Sequence, residues 1–388
     1  MNRRVRKYLA AIEGGDRLLL IAMSILIFLG SIVVYGAGSY NNPGGGSVLG
    51  QHFLIAKHLF MIAVGLVVMF VLSNINYQYL RTRWLNWSAL AVGLVLVAMT
   101  LKQGDQGVIN RWVSVAGFRF QPVELAKLAV ILFMAERWSR HAQAGRLTWQ
   151  NILPGLVLGP LPLLLLLYMQ PNFGNILTMA AVVLVALLVA GFAWQRMAVA
   201  VVVLALAGVV AFMTSSKLQS RLEDWWAGIN GGQFGYQVDQ SLMGMGAGGT
   251  LGLGPGDGHN KFAFLPEAHT DFIFSVIGEE LGLWGTLTVI LLLIVFLWRG
   301  YSIAGRASEA FGRIVAASLT TSLAVYGLVN IGMVTGVFPV VGVPLPFVSF
   351  GGTAMVAALA SVGILLNIDH TSGMINISLQ RARDRSRI

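Results

Sequence analysis

Long apolar stretches without charge recur along this chain, and they constrain its fold more than any other feature. A helix rises about 1.5 Å per residue, so about 20 apolar residues cover the hydrocarbon of a membrane. The stretch from Leu281 to Trp298 contains no charged residue. Over the whole chain 56% of residues are apolar and 11% are charged, whereas a soluble domain has about 25% charged residues. The sequence therefore predicts an all-α polytopic membrane protein.

About ten windows of this kind predict about ten transmembrane helices in a single membrane domain over residues 1–388, without a soluble domain. The predicted spans are 18–37, 53–73, 84–101, 122–136, 152–169, 175–193, 197–214, 272–298, 312–336 and 351–368.

The distribution of Lys and Arg predicts the orientation of these helices. With the N-terminus inside, 18 of the 26 basic residues fall in cytoplasmic segments, as the positive-inside rule requires. The N-terminus (1–17) and the basic tail (369–388) are then cytoplasmic. The long loop between helices 7 and 8 (215–270) is extracytoplasmic. The basic N-terminus resembles the start of a signal peptide, but no cleavage site follows the apolar stretch, so we expect a retained first helix.

Composition also bears on the possible functions. The formal charge of +10 could suggest nucleic-acid binding, but the basic residues lie in short loops between apolar runs, so we expect no nucleic-acid partner. The chain has no cysteine, which excludes a thiolate nucleophile and a cysteine-ligated metal site.

Acidic residues are concentrated just before the uncharged stretch. The chain has 16 acidic residues in all, and the segment "FLPEAHTDFIFSVIGEELG" (264–282) contains Glu267, His269, Asp271, Glu279 and Glu280. If the helix continues outward, Asp271 lies roughly 12 Å beyond Glu279. One interpretation is a solvated helix start, with Thr270 or Asp271 as N-cap and the acids near the positive end of the helix dipole. The other is a carboxylate at the headgroup plane that acts on a substrate.

The segment "QPVELAK" (121–127) places Glu124 and Lys127 three residues apart, on one face of a helix. They could form an ion pair that only holds helices together. Charges inside a span usually mark a functional cavity, however. With Arg111, Arg119 and Lys57, Lys127 would form a cluster of cations on the outer side that suits phosphate oxygens.

Three further segments have simpler interpretations. "GMGAGG" (244–249) fits a dinucleotide fingerprint only weakly, because that site needs a preceding strand, and we interpret it as flexible turns. Trp225 and Trp226 are typical of an interfacial anchor. The uncharged segment 337–350 has three prolines and cannot be helical throughout, so it must be buried or line a cavity.

Three motifs together resemble the signatures of the SEDS family, the RodA, FtsW and SpoVE proteins. They are "RW…FQPVELAK", "QSLMGMGAGGTLGLGPGDGHNKFAFLPEAHTDFIFSVIGEELG" and "VNIGMVTGVFPVVGVPLPFVSFGG". The resemblance covers essentially the whole chain and favours the FtsW-like over the RodA-like branch. It implies a peptidoglycan glycosyltransferase of the bacterial inner membrane that polymerises lipid II. It also implies a class B penicillin-binding protein as transpeptidase partner, alongside other divisome or elongasome proteins and membrane lipid.

The resemblance also implies the site residues. It makes Asp271 the essential carboxylate and assigns substrate binding to Lys57, Arg111, Gln121, Glu124, Lys127, Asn172, Glu267 and His269. The chain departs from the family pattern in "QPNFGN" (170–175), where Asn172 replaces an acid and Asn175 a threonine. Lys57 stands where arginine is common.

In the mechanism that we expect, Asp271 takes the proton of the attacking sugar hydroxyl. Arg111, Lys127 and Lys57 stabilise the departing pyrophosphate, and Glu124 holds Lys127 in place. A divalent cation such as Mg²⁺ or Mn²⁺ could help, with Asp271 as its ligand instead, and no nucleotide cofactor is expected. Two alternatives remain open: a flippase that moves lipid II without bond chemistry, and a non-catalytic scaffold for division proteins.

Overall fold

The computed structural model describes residues 16–38, 48–101, 111–115, 118–142, 147–258 and 265–385. Within these ranges the chain is mainly helical, with one short hairpin of β1 (Val113–Val115) and β2 (Phe118–Phe120). The helices are α1 (Arg17–Gly38), α2 (Val48–Asn74), α3 (Arg83–Met99), α4 (Pro122–Ala142), α5 (Trp149–Leu158), α6 (Pro160–Met169), α7 (Phe173–Val189), α8 (Trp194–Thr214), α9 (Ser216–Ile229), α10 (Tyr236–Gly248), α11 (Ile273–Arg306), α12 (Ala310–Val334) and α13 (Thr353–Arg385).

Several of these helices can span a membrane. In the described part of the chain, six are long and apolar enough: α1, α2, α8, α11, α12 and α13. The pair α5 and α6, bent by 40° at Gly159, makes a seventh if it is one span. Helices α3 and α7 are apolar but shorter, and α4 carries Glu124 and Lys127 near its start. The chain is therefore a multi-pass helical membrane protein, while the count of ten spans remains a prediction.

Helix α12 lies in the centre of the bundle. Of the residues in its most apolar stretch, 72% are buried inside the protein, whereas none are buried in the corresponding stretch of α8. It packs against α4, α7 and α11, and α2 packs against α13 beside this group. Most side chains on α12 are thus shielded from lipid and from water. Polar groups there must find their partners inside the protein.

Helix α11 does not continue unbroken outward from Leu281, contrary to the sequence-based expectation. At Gly282 the backbone adopts φ 65° and ψ −158°, a region that is essentially restricted to glycine. The interruption frees the carbonyls of Glu279 and Glu280, which accept hydrogen bonds from the N–H groups of Leu253 (3.0 Å) and Gly254 (3.1 Å). The short first part of α11 is therefore held by the glycine-rich segment after α10.

We expect Gly282→Ala to lower the free energy of unfolding by at least about 1–3 kcal/mol, the typical cost of such strained backbone. A Cβ at this position would also lie 2.4 Å from the backbone nitrogen of Gly252. The apparent melting temperature of the purified protein in detergent measures the effect. Gly305→Ala, in the same helix and with open space around it, is the matched control. Equal melting temperatures for the two variants would contradict this account of the break.

Charged side chains join α1, α11 and α13 at one end of the bundle. Arg299 near the end of α11 lies 2.6 Å from the carboxylate of Asp16, which precedes α1 and is almost fully buried. Arg306 lies 3.2 Å from Asp369 on α13 and 3.6 Å from Asp16. All four residues belong to the side predicted to be cytoplasmic, so the ends assigned to that side do meet in space.

The segment 215–270, predicted as one long loop, contains two helices, α9 and α10. The segment from 337 to 350 forms no helix, as its prolines predicted. The hydroxyl of Ser349 donates to the carbonyl of Thr270 (2.6 Å), and the N–H of Phe350 donates to the carbonyl of His269 (3.0 Å). The two segments therefore lie side by side, at the opposite end of α11 from Arg299.

Candidate active site

Asp271 lies in the turn that leads into α11, and the surrounding chain fixes its backbone. The side-chain amide of Asn330 on α12 donates to the carbonyl of Asp271 and to that of Val343, each at 2.7 Å. Phe272 is the N-cap of α11 and makes no side-chain capping bond. Neither Thr270 nor Asp271 is therefore the N-cap, so that part of the helix-start interpretation is wrong.

Two arginines interact electrostatically with the Asp271 carboxylate: Arg111, which precedes the hairpin, and Arg221 on α9. Arg111 is held by bonds from its guanidinium to the carbonyls of Gln170 (3.3 Å) and Pro171 (2.6 Å). Neither arginine lies within 4.0 Å of the carboxylate, the limit for an ion pair. Neither arginine therefore neutralises the carboxylate by a direct ion pair.

Burial raises the pKa of Asp271 from 3.8 to about 7, and the neighbouring Glu267 raises it as well, whereas Arg111 and Arg221 lower it. A carboxyl group with a pKa near the working pH is suited to accept and release a proton. The pKa of Lys217, on α9, is lowered by burial and by the positive charges of Arg111 and Arg221. The three cations thus form one positive region, and Arg111 and Arg221 of this region interact with Asp271.

Glu267 and His269 flank the carboxylate on the same turn. Glu267 has a positive φ of 57°, and its carboxylate accepts a bond from the hydroxyl of Thr270 (2.7 Å). The ring of His269 lies 5.7 Å from the ring of Phe350. Burial lowers the pKa of His269, while Glu267 raises it.

Lys127 and Glu124 form a buried pair in the middle of the bundle, as their spacing predicted. The Lys127 Nζ lies 3.1 Å from the Glu124 carboxylate, and both side chains are about 5% exposed or less. Lys127 also donates to the hydroxyl of Tyr326 on α12. That hydroxyl lies 2.7 Å from the Glu124 carboxylate and 2.6 Å from Oδ1 of Asn175. The ammonium is thus already paired, and Tyr326 links this network electrostatically to Asp271.

The two asparagines of "QPNFGN" extend this network. Asn175 donates to Oδ1 of Asn172 at 3.1 Å, and Asn172 is almost fully buried. With one cation and one anion, the network carries no net charge. An acid at position 172 would add a buried negative charge, which is costly without a partner. The structure therefore gives a physical reason for a neutral residue at this position of the chain.

The structure places the remaining predicted residues at the edges of the site. Lys57 is half-buried on α2 and makes no hydrogen bond or ion pair with a described residue. The ring of its neighbour His58 lies 5.8 Å from that of Phe350. The backbone N–H of Gln121 donates to the hydroxyl of Thr353 (3.2 Å), joining the starts of α4 and α13. The side chain of Arg119 lies outside the described residues.

Two residues of this site, Arg221 and Asn330, had no role predicted from the sequence. Arg221 is a basic residue in a segment predicted to be extracytoplasmic, where the positive-inside rule does not predict one. Asn330 was visible as a polar residue inside an apolar helix, and it is fully buried. No group of three or more His, Asp and Glu residues that could hold a metal occurs in the described segments.

The chain is similar to known proteins over nearly its whole length. The family model FTSW_RODA_SPOVE, described as "Cell cycle protein", matches residues 16–373. The chain is 36% identical over 369 residues to "Probable peptidoglycan glycosyltransferase FtsW" of Trichlorobacter lovleyi, covering 91% of this chain and 92% of the relative. It is also 36% identical over 368 residues to "Peptidoglycan glycosyltransferase MrdB" of Escherichia coli, covering 93% and 95%. Equal identity to both leaves the preference for the FtsW-like branch a prediction.

A solved structure has the same fold over nearly the whole chain. It belongs to the work titled "Structural coordination of polymerization and crosslinking by a peptidoglycan synthase complex". The two chains are 25% identical with a TM-score of 0.72, and the match covers 92% of this chain and 98% of the other.

Proposed function

The chain belongs to the FtsW, RodA and SpoVE family of cell-cycle proteins, and from this membership we propose that it is a peptidoglycan glycosyltransferase. It polymerises lipid II into glycan strands at the outer face of the bacterial cytoplasmic membrane. The observation that carries the proposal is the placement of Asp271 opposite Arg111 and Arg221, with its pKa raised to about 7.

The reaction forms one bond and breaks one. The C4 hydroxyl oxygen of the acceptor sugar attacks the anomeric carbon of the lipid-linked donor, and the bond from that carbon to the pyrophosphate oxygen breaks. Asp271 takes the hydroxyl proton, a contribution of about 10²–10⁴ in rate. The pyrophosphate leaves with the bonding electrons, and Arg111 and Arg221 stabilise the charge that it gains.

The buried network has a supporting role in this proposal. Tyr326 and Asn330 lie four residues apart on one face of α12, about one helical turn. The Lys127–Glu124 pair fixes Tyr326, and Asn330 fixes the backbone of Asp271. Lys127 is thus a positioning residue, whereas the sequence analysis assigned it to the pyrophosphate. Lys57, Gln121 and His269 remain proposed contacts for the substrate.

A divalent cation is part of the proposal only as a helper. Asp271 and Glu267 repel each other electrostatically, and such a pair of carboxylates suits a cation. Mg²⁺ is commonly held by one or two carboxylates together with substrate phosphates. It would add positive charge at the leaving group. Titration of Mg²⁺ in the polymerisation assay tests this point.

As in the family, we expect a class B penicillin-binding protein as transpeptidase partner. The experiment that tests the function uses the purified chain with fluorescent lipid II, with and without this partner. Glycan strands resolved by gel electrophoresis support the proposal. Lipid II that crosses the membrane of proteoliposomes with no polymer formed would instead indicate a flippase.

We expect Arg221→Gln to move the rising limb of the pH–rate profile to higher pH. Arg221 lowers the pKa of Asp271, so its removal raises that pKa, and a higher pH is needed to form the carboxylate. The initial rate of polymerisation, measured across neutral pH, reports the shift. Arg221→Lys keeps the charge and is the matched control. An unchanged midpoint in Arg221→Gln would contradict the coupling between these two residues.

A further inference from the structure

A pocket of about 250 Å³ lies between α9, α10 and the chain that follows α12. The residues that matter to its chemistry are Arg221, Asp224, Trp225, Phe234, Tyr236 and Gln237. Apart from Arg221, none of them has a part in the mechanism above.

Two aromatic walls of the pocket are held in place. The indole N–H of Trp225 donates to the carbonyl of Gly336 at 3.1 Å. The ring of Phe234 packs so closely on Gly228 that a Cβ there would lie 2.2 Å from it, and on Gly336, where the distance would be 3.2 Å. Such walls are formed before a ligand arrives, as in most small-molecule sites.

The polar groups of the pocket suit a neutral, hydroxyl-rich ligand. A terminal guanidinium nitrogen of Arg221 is buried and has no hydrogen-bond partner among the described residues. That nitrogen is closed off from solvent, so a ligand in the pocket meets the other atoms of the Arg221 side chain, which lines it. Asp224 and Gln237 supply acceptors, and the charge of Asp224 disfavours a phosphate. A sugar ring offers apolar C–H faces for the aromatic walls and hydroxyl groups for these polar side chains.

The pocket lies beside the reacting groups. Arg221 both lines it and interacts with the Asp271 carboxylate. Phe338, Pro339 and Val340 form another wall, and Gly342 follows two residues later. A Cβ on Gly342 would lie 3.0 Å from Oδ2 of Asp271. One short stretch of backbone thus joins the wall of the pocket to the proposed base.

We propose that this pocket binds one sugar residue of the glycan, adjacent to the residue that reacts at Asp271. The inference rests on the proposed function, because it names a subsite of the same reaction. Binding here holds the strand while successive disaccharides are added. Its loss therefore shortens the glycan products more than it slows formation of the first bond.

The test uses the purified full chain carrying Asp271→Asn and a soluble, uncrosslinked oligosaccharide of the peptidoglycan glycan. Tyr236→Ala removes a pocket side chain that is 57% exposed, so the fold is expected to tolerate it. We expect it to weaken binding of the oligosaccharide about ten-fold, the effect of losing a contact of about 1.4 kcal/mol. Gln237→Ala is the second variant. Trp226→Leu is the control, since Trp226 is 63% exposed on α9 and does not line the pocket.

The same three substitutions are then made with Asp271 intact, and the length of the polymer is measured. Shorter strands in both pocket variants, with control strands of normal length, support the subsite. Unchanged binding and unchanged strand length overturn it. So does weaker co-purification of the transpeptidase with unchanged oligosaccharide binding, since the pocket would then dock a protein. Binding that depends on Tyr236, together with no polymer from the protein with Asp271 intact, would support the subsite and refute the proposed function.

Discussion

Asp271→Asn is expected to lower the rate of glycan formation from lipid II by at least about 100-fold, because an amide cannot take the proton of the attacking hydroxyl. The substitution keeps the size of the side chain. The bond from Asn330 goes to the backbone carbonyl and is kept as well. The fold should therefore survive, and the initial rate of polymerisation by the purified protein measures the loss.

The matched control is Asp257→Asn, an exposed aspartate of the segment between α10 and α11. It should polymerise lipid II at the normal rate. If Asp271→Asn also made near-normal glycan, Asp271 would have no part in the chemistry. An Asp271→Asn protein that no longer eluted as a folded species would direct the test to Arg111→Gln. That variant should bind donor lipid II less well and turn it over more slowly.

Lys127→Met is expected to have the largest effect on stability. It removes the cation from a buried pair and leaves the Glu124 carboxylate unpaired among α4 and α12. Breaking such a pair typically costs about 3–5 kcal/mol. The apparent melting temperature in detergent, measured by fluorescence-detected size exclusion, should fall accordingly. Arg81→Met is the matched control, because its pair with Glu309 is about 30% exposed on both sides and should contribute about 0–1 kcal/mol.

The double variant Glu124→Gln, Lys127→Met separates two roles for this pair. Replacing both charges can be nearly neutral for stability, so the double variant should recover much of the melting temperature. If it then polymerises lipid II at a reduced rate, the pair also positions Tyr326 and, one turn further along α12, Asn330, which holds the backbone of Asp271. Full activity would mean that the pair only holds helices together. A single variant that melts like the native protein would contradict the buried pair itself.

The apolar windows predicted most of the helices to within a few residues, because a helix that crosses the hydrocarbon needs a continuous run of about 20 apolar residues. Helices α9 and α10 were missed because their sequence is polar or rich in glycine, a poor helix former. Packing overrides that preference. A Cβ on Gly248 would lie 2.1 Å from the carbonyl oxygen of Gly278, so the glycines of α10 allow it to approach α11 closely.

The candidate site was only partly visible in the sequence. The concentration of acids before Leu281 indicated Asp271, and the three-residue spacing indicated the Glu124–Lys127 pair. The break at Gly282 was not foreseen, because one glycine among several in "GEELGLWG" gives no local signal for its φ. Arg221 and Asn330 lie 50 and 59 residues from Asp271 in the sequence. Only the folded structure brings them near it, so their spacing along the chain gave no indication of the contact.

The pH dependence of glycan formation tests most directly whether Asp271 acts as the base. Burial and Glu267 raise its pKa to about 7, so the carboxylate forms as the pH rises through neutrality. The rate should therefore rise along a limb centred near pH 7, and the residual activity of Asp271→Asn should lack that limb. A flat profile for the native protein, or the same limb in Asp271→Asn, would contradict the mechanism.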